Sequence, residues 1–211
     1  GRLIRPTGAD QPAKLDACGM RLTLTWRHLD RGSGIEDRGQ WGQPERVFGG
    51  TGAALMLRRE AAQDVAFEAG VFDPWFHSFR EDAELAFRLA ERQWEVLYVP
   101  EAVAVHRRFN LPSRRREMPA AVNFHSLKNR YLLRLYHQTV PNLLWTLPWT
   151  LSRALLALGW VLLVERSSRP AYRWLWRHRR EIVARRRWLQ ERRTAPPGTI
   201  SRWQLEAGRP L

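Results

Sequence analysis

An α/β domain followed by a helical, membrane-associating region is the architecture the sequence predicts, and three observations carry it. An amphipathic helix over Glu81 to Trp94 is followed by two short β-branched runs, Val96–Val99 and Val103–Val105. Residues 140–164 are 17 apolar residues in 25. Residues 165–193 then carry eleven arginines among Trp174, Trp176 and Trp188. Helix and strand signals in close alternation argue for packed layers around one core.

The 211 residues, 44% hydrophobic and 27% charged, can bury a sizeable core plus an appendage, which excludes a disordered or collagen-like chain. Lys and Arg number 35 against 21 Asp and Glu, a formal charge of +14, and only Lys14 and Lys128 are lysines. Such a balance favours an anionic partner: nucleic acid, an acidic membrane surface or a phosphate-bearing substrate. The single cysteine, Cys18, excludes an intramolecular disulfide framework and an all-cysteine zinc site, and fits a reducing compartment. The chain opens at Gly1, and its first twenty residues hold no apolar core before a cleavage site. No signal peptide is visible, and an upstream segment is expected.

In chain order, residues 1–14 are polar, Leu15 to Trp26 alternates as a strand does, and Arg27 to Arg46 reads as a loop. Gly49, Gly50 and Gly52 surround Thr51 and suggest a turn feeding a buried strand at Ala53–Leu57, then a helix through Arg59–Val65. No Gly-Lys-Ser/Thr ends the glycine run, so it is not a P-loop. In the 81–94 helix, Ala83, Phe87, Ala90 and Trp94 fall on one arc, and Glu84, Arg88, Glu91 and Arg92 on another. Asp82 projects inward with Leu85, Ala86 and Leu89, whereas Glu81 falls with the charged arc. Pro100 and His106 close the two strands that follow.

A domain edge is expected near Pro112, before the basic run Ser113–Arg116, with helical spacing resuming over Asn123–His137. The expected division is 1–137, 138–193 and a loose tail, 194–211. The apolar run Val140–Val164 is interrupted by Pro141, Pro148, Arg153 and Gly159, which favours a re-entrant or interfacial helical pair over a kinked single span. Arg153 at a bilayer centre would cost about 3 kcal/mol. In the basic segment, Tyr172, Leu175, Ile182 and Leu189 form a stripe that Arg179 and Arg186 interrupt. Arginines and tryptophans beside an apolar run suit a headgroup region; nucleic acid is the rival partner.

Phe72-Asp73 followed by Trp75 and Phe76, then Glu81-Asp82, an amphipathic helix, Leu97-Tyr98-Val99-Pro100 and finally His106 form an ordered set. This set resembles the C-terminal half of an inverting family-2 glycosyltransferase of the glycosyltransferase A fold. The upstream run HLDRGSGIEDRGQWGQPERVFGGTGAALMLRRE resembles the rhamnosyltransferase-like branch and extends the likeness to about residues 15–137.

The resemblance implies transfer of a sugar, rhamnose being the one the branch suggests, from a nucleoside-diphosphate sugar to a hydroxyl of a cell-envelope or lipid-linked glycan, with inversion. A hydroxyl attacks well only if a carboxylate takes its proton, and Asp82, beside Glu81, matches the family's base. The leaving diphosphate calls for Mg²⁺ or Mn²⁺, and His106 matches the family's metal-associated histidine. Asp30, Asp37, Thr51 and Trp75 fall in regions resembling acceptor or donor-sugar loops. The chain departs from the family in having no Asp-x-Asp, and no nucleotide-binding βαβ unit precedes residue 15. Those parts are expected upstream, and the chain alone is expected to be inert. Its expected place is the cytoplasmic face of a membrane with an anionic surface. The alternatives are a noncatalytic basic module binding membrane or nucleic acid, and a transferase acting on polyprenyl phosphate.

Overall fold

The computed structural model describes residues 1–6, 12–108, 118–206 and the backbone of 209–210. The expected edge near Pro112 and the basic run Ser113–Arg116 lie outside the described residues. Among the described residues, eight short strands and seven α-helices give a mixed α/β fold: β1 (Arg2–Arg5), β2 (Lys14–Ala17), β3 (Met20–Leu22), β4 (His28–Asp30), β5 (Glu45–Val47), α1 (Arg59–Val65), α2 (Glu81–Glu91), β6 (Val96–Tyr98), β7 (Val103–Val105), α3 (Ala120–His137), α4 (Val140–Leu163), α5 (Arg169–Arg177), α6 (Arg179–Arg192), α7 (Thr199–Leu205) and β8 (Arg209–Pro210). β1 lies between β2, antiparallel to it, and β7, parallel to it; β3 pairs with β4, and β5 lies between β6 and β8.

The strand expected over Leu15–Trp26 is two strands, because Gly19 takes φ 84° and turns the chain between them. Any side chain there would meet Val47 at about 3 Å. The expected loop at 27–46 is a loop only in its middle, since β4 and β5 occupy its ends. The expected strand at Ala53–Leu57 does not form: the run finds no pairing partner, and Met56 is 98% exposed.

Helix α2 ends at Glu91, three residues short of the expected Trp94, because Gln93 at φ 65° breaks the ladder. Glu81, Asp82 and Glu84 in its first turn complement the positive end of the helix dipole. Its charged arc does not face water. Arg88 donates to both oxygens of Glu84 at 2.8 and 2.9 Å and to the Val71 carbonyl at 2.6 Å, and Glu84, Arg88 and Glu91 are all buried. Charged side chains are buried in this way only when paired and hydrogen-bonded.

The main core joins Trp26, Phe48 and Phe76 to Phe87 of α2, Leu132 and Tyr136 of α3, Ile182 and Leu189 of α6, and Ile200 of α7. Trp26 stacks on Phe87 with ring centroids 5.2 Å apart. The stripe interrupted by arginines is therefore a core-packing face, with Arg186 reaching past it to the carbonyls of Leu135 and Gln138. Residue 137 marks a change of composition, not of packing. The expected loose tail contains α7, which places Trp203 edge-on to Phe48. Residues 140–163 form one continuous helix with Pro148 inside it, in place of the expected helical pair.

Candidate active site

A cleft of about 500 Å³ opens where the N-terminus of α2, the turn at 51–53, β4 and the end of β7 meet. Asp30, Thr51, Glu81, Asp82 and His106 all line it. Five of the seven residues singled out in the sequence are thus brought together from positions up to 76 residues apart. A second basin of about 1020 Å³ adjoins it and shares His28, Asp30, Arg80 and Arg108.

Asp82 is fixed by backbone. Its Oδ2 accepts from Gly52 N–H at 3.0 Å, and its Oδ1 from Ala83 N–H at 2.7 Å. Both bonds fix the orientation of the carboxylate and leave lone pairs free to accept a further hydrogen bond. The glycine turn makes this approach possible. A Cβ on Gly49 would sit 2.5 Å from the Ala86 Cβ of α2, so the turn packs directly on the helix. Burial raises the pKa of neighbouring Glu81, and its Oε2 is buried with no hydrogen-bond partner.

The loop leading into α2 is strained. His77, Phe79 and Arg80 have φ of 50°, 67° and 73°, unusual for residues with a Cβ. Asn129 of α3, fully buried, holds this backbone by donating from Nδ2 to the carbonyls of Phe76, Ser78 and Phe79 at 2.7, 2.8 and 2.6 Å.

His106 is oriented by Asp16 of β2, whose Oδ2 lies 2.7 Å from His106 Nδ1. Arg5 donates to Asp16 Oδ1 at 3.0 Å, and Arg108 pairs with it at 3.0 Å. Burial pushes the Asp16 carboxyl up, but these hydrogen bonds outweigh it and hold its pKa below the usual range. Arg108 also donates to Asp30 at 2.6 Å. Burial still raises the pKa of Asp30, the nearby Arg108 opposing it. His28, at the mouth shared with the basin, has its pKa driven well down by burial and then by Arg80 and Arg27. Its imidazole is therefore neutral at pH 7.

A carboxylate on one ring nitrogen of His106 fixes the orientation of the ring, an arrangement suited to a metal ligand. Among the described residues no three His, Cys, Asp or Glu side chains converge on one point. Glu81 Oε2, buried without a hydrogen-bond partner, and His106 line the same cleft.

Asp37 and Trp75 do not line the cleft. Asp37 pairs with Arg2 and accepts from Gly39 N–H at 3.1 Å, which pins the 31–44 loop. Trp75 packs edge-on to Trp174 at 5.1 Å under the Arg185 guanidinium, and its carbonyl accepts from Lys128. Asp73 of the Phe-Asp pair is buried and accepts from Arg185 of α6 at 2.7 Å. Sequence reading missed Asp16, His28, Arg80, Arg108 and Asn129. The only signal for Asp16 was an acidic residue between the apolar Leu15 and Ala17.

A family model described as glycosyl transferase family group 2 matches residues 25–177, which include Asp30, Thr51, Glu81, Asp82 and His106. No curated protein and no solved structure matches the chain.

Proposed function

Because the chain belongs to glycosyl transferase family group 2, we propose that the cleft at the start of α2 is where an acceptor hydroxyl displaces a nucleoside diphosphate from a sugar, with Asp82 as general base. The acceptor oxygen forms a bond to the anomeric carbon from the face opposite the diphosphate. The bond from that carbon to the phosphate oxygen breaks, the hydroxyl proton passes to Asp82, and the sugar inverts. The observation that supports this most is that Asp82, held by two backbone N–H groups, lines the same cleft as the anchored His106. A positioned base of this kind is worth about 10²–10⁴-fold in rate.

His106, with diphosphate oxygens and Glu81, would hold Mg²⁺ or Mn²⁺, which when bound neutralises charge on the leaving group. Asp30 and Thr51 lie across the cleft, where they can accept from or donate to sugar hydroxyls. Rhamnose as the sugar, and a lipid-linked or cell-envelope glycan as the acceptor, rest on the likeness of the 28–60 run. The exposed apolar face of α4 and the arginines after it support work at an anionic, cytoplasmic membrane surface. Tethering there would raise the local concentration of a lipid-linked acceptor.

The test is nucleotide release from a panel of nucleoside-diphosphate sugars with Mg²⁺ or Mn²⁺ and a lipid extract as acceptor. It uses the chain alone and joined to an upstream nucleotide-binding half, each with Asp82→Asn in parallel. Metal-dependent turnover in the joined protein, reduced at least 10²-fold by Asp82→Asn, is the expected result. Turnover unaffected by Asp82→Asn removes the base assignment. No turnover with any donor favours a noncatalytic binding module.

A further inference from the structure

Three of the four buried residues of helix α4 are polar, and its exposed face is mostly apolar. Asn142, Thr146 and Thr150 are buried. Asn142 Oδ1 accepts from Trp26 Nε1 at 3.0 Å, and its Nδ2 donates to Gln204 at 2.7 Å; Thr146 accepts from Gln138 at 3.1 Å. Arg153, the helix's one charged residue, lies on the same stripe and borders a small gap with Thr25, Arg130 and Arg134. At the far end Val161 packs on Leu127 of α3 and Ala171 of α5. From Asn142 to Val161 this docked stripe runs about 28 Å along the helix. On the opposite side Leu144, Leu155 and Leu163 are 67, 60 and 80% exposed, with Trp145 and Trp149 also exposed.

We infer that α4 lies flat in the headgroup region of an anionic bilayer, its polar stripe docked on the core and its apolar face in lipid, without crossing the membrane. A helix fixed at one end to Trp26 and Gln204 and at the other to Leu127 and Ala171 could span only by carrying these parts of the core, with Arg130 and Arg134 beside it, into hydrocarbon. An in-plane helix needs no such burial, and an apolar face with tryptophans and neighbouring arginines is what such a helix presents. The charge follows directly in the chain. Arg166, Arg173, Arg177, Arg180 and Arg187 are exposed and have no partner among the described residues. Exposed Trp176 lies among them. Five unpaired guanidinium groups beside an apolar face complement anionic headgroups; a second copy of this chain would bring like charges together.

The experiment uses the 211-residue chain with vesicles of phosphatidylcholine, alone or with phosphatidylglycerol. Spin labels are placed through Leu144→Cys, Leu155→Cys and Leu163→Cys, Cys18 being buried and shielded from labelling. Binding that requires phosphatidylglycerol, with all three labels at one shallow depth, is expected. The pair Leu144→Glu and Leu155→Glu should lower vesicle binding at least tenfold with the melting temperature unchanged, because both sites face outward. A depth that runs through the bilayer centre between residues 144 and 163 would overturn the inference. So would binding indifferent to anionic lipid, displacement by an oligonucleotide, or a dimer in solution that buries the labels. None of these outcomes bears on Asp82, so failure here is distinguishable from failure of the transferase reading.

Discussion

Asp16 Oδ2 and His106 Nδ1 meet at 2.7 Å across 90 residues of sequence, Asp16 on β2 and His106 just past β7, the two strands that flank β1. The same carboxylate serves Arg5 and Arg108 and is fully buried. Among the described residues it is the one buried anion shared by three cationic or ionisable groups, and Arg108 passes the connection to Asp30 in the cleft.

Asp16→Asn keeps the shape and removes the charge. Loss of hydrogen bonds to charged partners is expected to cost about 1.5–3 kcal/mol in chemical denaturation. If His106 holds Mn²⁺ as proposed, Asp16→Asn should also weaken Mn²⁺ affinity about 10–100-fold, the usual cost of losing the group behind a ligating histidine. His106→Ala should abolish that metal dependence with a smaller loss of stability, because His106 is partly exposed. Titration calorimetry with Mn²⁺ and nucleoside diphosphate separates the two variants.

Gly49→Ala places a methyl 2.5 Å from the Ala86 Cβ. Something must shift, and the cost is expected to be about 1–3 kcal/mol. Ala86→Gly alone should also destabilise, through its helix propensity, by about 1 kcal/mol. The double variant should be more stable than the sum of the two single changes. A double-mutant cycle by urea unfolding measures that coupling, and strict additivity would show that the turn and α2 are not in contact in solution.

The elements that were legible in the sequence are those whose evidence is local. Helix α2 declared itself through the spacing of Ala83, Phe87 and Ala90, and β6 and β7 through valines bounded by Pro100 and His106. Asp82 and His106 were found from the order of motifs around them. Asp16 and Asn129 were not, because their partners are 90 and about 50 residues away and neither has a neighbour that marks it. The charged arc of α2 misled for a related reason. Glu84 and Arg88 satisfy one another four residues apart, as exposed pairs do, but the Val71 carbonyl and His137 that permit their burial come from elsewhere in the chain. In α4 the apolar count was informative, yet the docked stripe is set by Trp26 and Gln204, at opposite ends of the sequence.

Asn129→Ala removes one amide that ties three carbonyls of the strained loop before Glu81. The loss is expected to be about 1–3 kcal/mol of stability. If the loop holds Asp82 in place, kcat falls further than donor KM changes, and the bell of the pH–rate profile keeps its acidic limb. Asn129→Gln, which retains the donor on a longer arm, should recover part of the rate. A variant that loses stability but keeps kcat at a temperature where it is folded would restrict Asn129 to a purely structural role.

His137 supplies a pH dependence whose sign can be worked out. Its ring is fully buried, stacked on Phe87 at 4.9 Å, with Nδ1 3.0 Å from Glu91 and Nε2 3.6 Å from Glu84. Burial alone would lower its pKa, but Glu91 and then Glu84 outweigh burial and raise it. A histidine whose pKa is higher folded than unfolded stabilises the fold most below its unfolded value, about 6.5. That contribution fades as pH rises through the folded value. The His137 contribution should therefore decline from pH 6 toward pH 9, so that His137→Gln loses stability chiefly at the acidic end. Urea midpoints at pH 6 and pH 9 decide it: a His137→Gln variant whose loss is the same at both would show that the imidazole is neutral in the native state, and that Glu84 and Glu91 are held by Arg88 and Arg193 alone.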